Sequence, residues 1–363
     1  MNDLGRICPE STEEPDGIIL GASQRDIHLL AEPEFIDLER ESDSGLMDSL
    51  VFVDGGNASF LSYGAAVLEV NRVALIRKSL AATKLPGSGV RDSFEPRSEV
   101  SYVDTRKELH HFLSLTYISE DRMLKTKFYS DAADSVLPVD WVKRETQHPF
   151  SQAQRLGGRA RKIAELLFAR EAVRSQPPDA LVLDGGLGHG NDISELESLR
   201  AVFESCDDNG TSLVGVSKRS AIFSGMLPIT FAADRAAAAK GLKHYSALVG
   251  TAARAGSGSS SALDTKLYVN KFSSAAKKPY LCEVFGELPP AKLYSSLAVM
   301  SRGVYSPGYP SGLIEADRLA RIDPQIEVRA MKLRLQKESG DLPLIREALA
   351  HDMLDIYSGN DPY

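Results

Sequence analysis

Two apolar runs along the chain have almost the same pattern, and each ends in Asp-Gly-Gly. They occupy residues 50–56 and 180–186 and read LVFVDGG and ALVLDGG. Short runs of β-branched and apolar residues are typical of buried strands. We expect Asp54 and Asp184 to end their strands, because the glycines that follow let the chain turn away at once. The pattern therefore predicts two carboxylates at the carboxyl ends of two strands in one sheet.

Between the two Asp strands, the apolar spacing becomes that of a helix. Over residues 152–174, apolar residues recur at spacings near three and four or their multiples. They are Leu156, Ile163, Leu166, Leu167 and Val173. A Pro-Pro pair at 177–178 ends this helix, and the second Asp strand follows directly. A helix in this place can pack back on the sheet and direct a side chain at the strand ends.

Weaker patterns predict the remaining elements. Helices are expected over residues 193–203, 232–241, 312–322 and 342–357, with short ones at 27–30 and 35–38. Strands are expected over residues 60–70, 72–77, 212–216, 266–272, 280–285 and 297–301. Asn71 is expected in a tight turn, so that the first three strands form a meander. Residues 80–140 lack clear periodicity and are expected to be irregular, and the Gly/Ser-rich residues 255–261 predict a flexible loop.

Composition excludes some classes of protein and narrows others. The chain has 363 residues, and its apolar fraction of 43% and charged fraction of 25% are ordinary for a globular protein. No window approaches the apolar length of a membrane span, and the first residues lack the features of a signal peptide, so a cytoplasmic protein is expected. The net charge of −8 argues against nucleic-acid binding over the whole surface but leaves room for a local basic groove. The three cysteines are too far apart in sequence for a metal knuckle.

Four acidic residues are candidates for a metal centre: Asp54, Glu165 on the predicted long helix, Asp184, and Asp317 on the penultimate helix. Carboxylates suit Mn²⁺ and Mg²⁺, which are hard cations that prefer oxygen ligands. Two such ions can activate a water and stabilise the leaving oxygen of a phosphodiester. This order of acids after a three-strand meander predicts a ribonuclease H-like fold, a mixed α/β sheet flanked by helices.

Each candidate also has an ordinary structural interpretation. Asp-Gly is common in turns, so Asp54 and Asp184 can be turn-capping residues. Glu165 can be a solvated helix carboxylate, and Glu171 competes for its role. Asp317 is four residues from Arg321 and can simply pair with it. Lys218 and Arg219, which follow the strand at 212–216, can be a solvated pair or can contact a phosphate backbone.

Several motifs, in order, carry a resemblance to a known family. They are VDGG at 53–56, LDGGL at 183–187, VGVSKRS at 214–220, and GYP at 308–310 followed by LIEAD at 313–317. Over residues 45–325, the chain resembles the NurA family of DNA-repair nucleases. The resemblance implies a metal-dependent deoxyribonuclease, a 5′→3′ exonuclease and single-strand endonuclease that acts in end resection. It also implies a homodimer that works with a HerA-type hexameric translocase.

The resemblance also implies roles for individual residues. Asp54, Glu165, Asp184 and Asp317 would hold two Mn²⁺ or Mg²⁺ ions, and Lys218, Arg219 and Tyr309 would lie along the DNA. The family usually has Asp-Gly-Ser where this chain twice has Asp-Gly-Gly. It commonly has His where this chain has Asp317, and His351 is the alternative residue for completing the metal site.

The chain is therefore expected to contain three parts. Residues 1–45 form an N-terminal extension, residues 46–330 the ribonuclease H-like nuclease domain, and residues 331–363 a C-terminal helix packed on it. Two other functions remain open. Residues 184–190 fit the D-x-G-x-G-x-G loop of methyltransferases that bind S-adenosylmethionine, although the next strand ends in a basic residue instead of the expected acid. A non-catalytic relative that only docks to a translocase or to DNA is the third possibility.

Overall fold

The computed structural model describes residues 25–38, 46–63, 66–82, 100–118, 123–130, 140–145, 149–188, 193–218, 222–224, 227–254, 264–287, 289–301 and 307–338. Within these ranges, no helix combines the length and the apolar character needed to cross a membrane. The predicted helix at 342–357, the predicted loop at 255–261 and most of the proposed C-terminal part lie outside them.

The strands of the described residues fall into one large sheet and one small hairpin. Their bounds are β1 (Arg25–Asp37), β2 (Ser49–Tyr63), β3 (Ala66–Ala82), β4 (Val100–Ile118), β5 (Met123–Ser130), β6 (Asp140–Glu145), β7 (Ala180–Asp184), β8 (Ser212–Ser217), β9 (Phe223–Ser224), β10 (Leu227–Pro228), β11 (Tyr245–Arg254), β12 (Thr265–Lys271) and β13 (Tyr280–Phe285). The sheet has 11 strands in the order β1-β11-β12-β13-β8-β7-β2-β3-β4-β5-β6, and β9 pairs with β10.

Helices cover both faces of this sheet. They are α1 (Pro149–Ser175), α2 (Ile193–Asp208), α3 (Ile229–Ala239), α4 (Pro290–Met300), α5 (Ser311–Ala320) and α6 (Arg329–Glu338), and a π-helical turn at Pro324–Val328 precedes α6. The predictions of α1, α2, α3 and α5 are confirmed, as are those of β7, β8, β12 and β13.

The middle of the sheet has the topology of the ribonuclease H fold. Strands β8, β7 and β2 are parallel neighbours, and β3 runs antiparallel to both β2 and β4. The strand order β8-β7-β2-β3-β4 therefore contains a single reversed strand, β3. Helices α1 and α2 precede and follow β7, as expected for crossovers between parallel strands. The predicted fold class, a ribonuclease H-like mixed α/β sheet flanked by helices, is confirmed.

Alternate residues of the central strands face two separate hydrophobic cores. Phe52 and Val182 belong to the core beneath α4 and α5, whereas Val51 and Leu181 belong to the core beneath α1 and α2. Strands buried on both faces are apolar throughout, which explains the continuous apolar runs before the two Asp-Gly-Gly motifs. The central sheet is thereby held between helices, and its strand ends can position functional side chains.

The N-terminal segment contributes an edge strand instead of the two predicted short helices, which were wrong. Strand β1 pairs antiparallel with β11, with a register shift between Leu29 and Glu34. Ile27, Leu29 and Phe35 pack against the core beneath α3. The irregularity breaks the two-residue alternation of a strand, so each half resembles a short helical pattern when only the sequence is considered.

The predicted turn at Asn71 was wrong, although β2, β3 and β4 do form a three-strand antiparallel meander. Strands β2 and β3 form one long hairpin, in which Asn71 pairs with Asn57 in the middle of the ladder. The Asn71 side chain is fully buried and donates a hydrogen bond to the Ser114 hydroxyl at 2.8 Å. A buried asparagine with such a partner is compatible with a strand, although asparagine alone favours turns.

Two further predictions failed because of unusual burial. Residues 80–140 contain β4 and β5, and β6 begins at the end of this range. Exposed residues 105–109 in β4 explain the lack of an apolar period. Residues 297–301 belong largely to helix α4 and not to a strand. That helix is buried at Leu293, Tyr294 and Leu297 among others. A helix that is apolar on most sides has no polar face to reveal its period.

Candidate metal and active site

The second Asp-Gly-Gly motif forms the predicted turn. Strand β7 ends at Asp184, and Gly185 has a φ of 101°, a left-handed conformation that favours glycine. The Gly185 amide donates a hydrogen bond to the Val216 carbonyl at 2.9 Å. The Asp184 carboxylate therefore lies at the carboxyl end of a central strand, as the sequence predicts.

The first Asp-Gly-Gly motif does not form a turn, contrary to the expectation for Asp54. Strand β2 continues through Gly55 and Gly56 to Tyr63. A Cβ atom on Gly55 would lie 2.5 Å from Glu165 Oε1, and a Cβ on Gly56 would lie 2.1 Å from the carbonyl oxygen of Ala320. These glycines are needed because α1 side chains and the α5 backbone approach the strand closely on its two faces.

Side chains from α1 reach Asp54 across Gly55. Arg161 Nη1 lies 2.8 Å from Glu165 Oε1 and 3.9 Å from Asp54 Oδ1, and it donates a hydrogen bond to the Gly55 carbonyl. Lys162 Nζ lies 3.1 Å from Glu165 Oε2. Glu165 is only 4% exposed, so the ordinary interpretation as a solvated helix carboxylate does not describe it. Asp54 and Glu165 thus share the partly exposed guanidinium of Arg161.

Asp184 has two partners of its own. Lys218 Nζ, at the end of β8, lies 2.6 Å from Asp184 Oδ2. The Tyr309 hydroxyl donates a hydrogen bond to Asp184 Oδ1 at 2.9 Å. The Lys218 ammonium also lies 5.0 Å from the centroid of the Tyr309 ring, which is the geometry of a cation–π contact. About half of the Lys218 side chain remains exposed, so its charge is accessible from solvent.

The charges of these groups influence one another. Burial, followed by the negative charges of Glu165 and Asp184, raises the pKa of Asp54 to about 7, although the Gly55 amide and Arg161 oppose the shift. Burial alone would lower the pKa of Lys218, but the hydrogen bond with Asp184 and the charges of Asp184, Asp54 and Asp317 raise it. The four predicted acids therefore belong to one electrostatic neighbourhood.

Helix α5 carries Asp317 across the same strand. A Cβ on Gly312, near the start of α5, would lie 2.2 Å from the Phe52 ring, and Ala320 at its end contacts Gly56. Asp54 lies on β2 between Phe52 and Gly56, the two residues that α5 approaches closely. Helix α5 therefore packs on β2 next to Asp54. The Asp317 carboxylate is paired with Arg321 at 2.9 Å and is about 44% exposed.

Whether these residues suit a divalent cation depends on the arrangement of their side chains and on their present partners. Among the described residues, no three acidic, His or Cys side chains are arranged to enclose a metal ion. The carboxylates are instead directed at internal cations: Arg161, Lys218 and Arg321. However, Glu165 Oε1 is buried and its ion pair with Arg161 lacks hydrogen-bond geometry, and Asp54 has a raised pKa beside two other carboxylates. The donor atoms are all carboxylate oxygens, which are the ligands that Mn²⁺ and Mg²⁺ prefer, so a cation would compete with the internal cations for them.

The departure from Asp-Gly-Ser in the second motif has a structural reason. A Cβ on Gly186 would lie 2.5 Å from Glu283 Oε1 and 3.3 Å from the Ser217 hydroxyl. Glu283, on β13, is buried, and its carboxylate takes the space that a serine side chain would need. In the first motif, the α5 backbone excludes a side chain at Gly56 in the same way.

Sequence reasoning missed several residues of this site. Arg161, Lys162 and Glu283 were not predicted, and the hydrogen bond from Tyr309 to Asp184 was not foreseen. The only sequence signal for Arg161 was its position four residues before Glu165 on a predicted helix, which is a common ion-pair spacing. Arg219 and His351 lie outside the described residues.

The raised pKa of Asp54 predicts a pH effect on stability. Its folded-state pKa of about 7 exceeds the ordinary value of 3.8, so the folded protein binds the proton more tightly than the unfolded chain. The free energy of unfolding should then fall as pH rises from about 4 to about 7, by the order of 2–4 kcal/mol from this group. Urea unfolding in EDTA would show this fall in the wild type and a smaller one in Asp54→Asn. Equal slopes for both proteins would contradict the prediction.

Comparisons with known proteins found only distant structural similarity. No family model matches the sequence, and no curated protein matches it. The structure is similar to the NurA nuclease from Sulfolobus solfataricus, with 11% identity, 84% of this chain and 93% of that chain covered, and a TM-score of 0.45. It is also similar to the catalytic domain of human endonuclease V, with 13% identity, 86% and 92% covered, and a TM-score of 0.34. An endonuclease V of Ciona intestinalis in complex with DNA matches at 9% identity, 81% and 95% coverage, and a TM-score of 0.34.

Proposed function

We propose that the protein is a metal-dependent DNA nuclease that hydrolyses phosphodiester bonds. The observation that supports this most directly is the electrostatic coupling of three carboxylates from β2, α1 and β7 in a ribonuclease H topology. The negative charges of Glu165 and Asp184 both raise the pKa of Asp54, although the three residues lie on separate elements. Carboxylates concentrated in this way repel one another and destabilise a fold until positive charge compensates them, and such clusters are typical of functional sites that bind cations.

Asp54, Glu165, Asp184 and Asp317 would hold two Mn²⁺ or Mg²⁺ ions. When bound, such ions supply an activated water and stabilise the leaving oxygen. Tyr309 orients Asp184 through its hydrogen bond, and burial together with the Asp184 charge raises its pKa, so the phenol remains a donor. Lys218, half exposed beside Asp184, is suited to bind a phosphate of the DNA backbone.

We extend the proposal to the finer activities implied by the sequence motifs. These are 5′→3′ exonuclease and single-strand endonuclease activity in the resection of DNA ends. The extended proposal also includes a homodimer that works with a HerA-type hexameric translocase. In it, Lys218, Arg219 and Tyr309 contact the DNA. The ordered motifs over residues 45–325 support this extension.

The methyltransferase alternative has less support. That function needs glycines in the 184–190 loop to leave space for the cofactor. The Glu283 carboxylate fills the space next to Gly186, and Asp184 is engaged by Lys218 and Tyr309. A non-catalytic docking protein would not need a buried Glu165 beside Asp54, which costs folding free energy.

The direct test is cleavage of end-labelled single-stranded and linear duplex DNA by the purified full chain. We expect cleavage with Mn²⁺ or Mg²⁺ and none with EDTA, because carboxylates alone cannot activate water for phosphodiester hydrolysis. Labels at the 5′ and 3′ ends separate the two polarities. A protein that cuts neither substrate with either metal, alone or with a HerA-type translocase, would refute the nuclease proposal, and S-adenosylmethionine binding should then be measured.

A further inference from the structure

Arg161 pairs with two acids of the candidate metal site, and its charge also acts on a second buried carboxylate. Its Nη1 contacts Glu165 and Asp54, as described above, and donates to the Gly55 carbonyl. Its Nε is buried and lacks a hydrogen-bond partner. A buried N–H donor without an acceptor is unfavourable even on a side chain that is partly exposed, and it indicates that Arg161 has a better arrangement in another state of the protein.

Glu69 is the second carboxylate, and the nuclease mechanism does not use it. It lies on β3, is 3% exposed, and accepts a hydrogen bond from Asn57 Nδ2 to Oε1 at 3.2 Å. Its other oxygen, Oε2, is buried and has no partner. Burial raises the pKa of Glu69 to about 7, against the opposing effects of the Asn57 hydrogen bond and the Arg161 charge. Glu69 therefore lacks a close counter-ion.

The strand register places Glu69 on the same face of the sheet as Gly55, whose carbonyl Arg161 contacts. On the β2–β3 ladder, Gly55 pairs with Val73, Asn57 with Asn71, and Ser59 with Glu69. Residues 69, 71 and 73 share one face of β3 because side chains alternate along a strand, and Val73 belongs to the core beneath α1. The Glu69 carboxylate extends towards Asn57 and thus towards Gly55, where Arg161 is bound.

We propose that Glu69 is the alternative partner of Arg161, which transfers to Glu69 Oε2 when a divalent cation binds Asp54 and Glu165. This inference rests on the proposed metal-dependent function. The same guanidinium cannot stay on Asp54 and Glu165 beside a dication without strong like-charge repulsion. Glu69 offers it a buried, unused acceptor on the same face of the sheet, so the charge of Arg161 stays compensated in both states. Glu69 is thus a positioning residue for cation binding.

The test measures Mn²⁺ binding by titration calorimetry at pH 8, without DNA, on the full chain. We expect Glu69→Gln to weaken Mn²⁺ binding by about tenfold, since Arg161 then has no second carboxylate with which to pair. In an Arg161→Gln background, the same substitution should change the affinity little, because the side chain that has to move is gone. Asp234→Asn is the matched control. Asp234 pairs with Lys271 at 3.2 Å on the α3 side of the sheet, so this variant should bind Mn²⁺ like the wild type.

A second readout follows Arg161 itself. The Nε–H signal of Arg161, assigned by its loss in Arg161→Gln, should shift in nitrogen–proton NMR spectra when Mg²⁺ is added to the wild type and should shift much less in Glu69→Gln. Thermal unfolding verifies that each variant is folded, and glutamine can still accept the Asn57 hydrogen bond.

The outcomes separate the two proposals. If the wild type binds Mn²⁺ and loses it in Asp54→Asn, but Glu69→Gln binds as the wild type does, the role of Glu69 is refuted and the metal site stands. An equal loss from Glu69→Gln in both Arg161 backgrounds would also refute the transfer of Arg161. A wild type that binds no Mn²⁺ would overturn the metal-dependent function and this inference together.

Discussion

Asn in place of Asp184 or Asp54 is expected to reduce metal-dependent DNA cleavage by a factor on the order of 10³ or more. The amide keeps the size of the side chain but removes the negative charge that would bind a cation. A loss of about 4 kcal/mol of transition-state stabilisation corresponds to this factor. The measurement is the initial rate of cleavage of labelled DNA with saturating Mn²⁺ or Mg²⁺, for the wild type and each variant.

The control for this prediction is the same chemical change elsewhere in the molecule. Asp234 accepts a hydrogen bond from Tyr245 at 2.9 Å and lies in a separate part of the fold, so Asp234→Asn should retain cleavage. Tyr309→Phe should give an intermediate loss, since it keeps Asp184 but removes the hydrogen bond that orients it. Full activity in folded Asp54→Asn and Asp184→Asn proteins would exclude the proposed metal site.

The parts of the site predicted from sequence are those encoded locally. Strand β7 and its turn follow from an apolar run and from Gly185, whose left-handed conformation is a local property. Helix α1 follows from its apolar period, and with it the placement of Glu165 before the second Asp strand. The order of elements then predicts the ribonuclease H topology, because parallel neighbours need crossover helices.

The missed features depend on contacts between distant segments. Gly55 and Gly56 appear in sequence as a turn, but they remain in β2 because α1 and α5 approach them. Asn71 appears as a turn residue, but it is held in β3 by Ser114, 43 residues away. The pairing of Arg161 with Asp54 likewise depends on how α1 lies on the sheet. No local pattern carries this information, and one sequence alone does not supply it.

Burial of acidic groups in and beside the candidate site lowers the stability of the protein near neutral pH, and the sequence does not reveal this cost. Asp54 and Glu69 are both buried, and burial raises the pKa of each to about 7. Groups of this kind destabilise the charged folded protein near neutral pH. A site that needs a cation to complete it is expected to show such a cost, and added Mn²⁺ should offset it by binding the folded state.

Gly56→Ala is expected to destabilise the protein by about 2–4 kcal/mol, because the new methyl group meets backbone that cannot move cheaply. Its Cβ would lie 2.1 Å from the Ala320 carbonyl oxygen and 2.8 Å from the Ala320 carbonyl carbon. Relief requires α5 to move away from β2, which also displaces Asp317. We therefore expect loss of nuclease activity together with a lower urea midpoint in equilibrium unfolding.

Gly158→Ala is the matched control, because it is the same substitution at a glycine with open space. Gly158 lies within α1, and nothing stands within 4 Å of an added Cβ. Alanine favours a helix interior over glycine by up to about 1 kcal/mol, so this variant should be as stable as the wild type or more so. If Gly56→Ala unfolds at the urea midpoint of Gly158→Ala, then α5 does not pack on β2 at Gly56, and the glycine there reflects another constraint. If only Gly56→Ala is destabilised, the close contact that carries Asp317 to the site is supported.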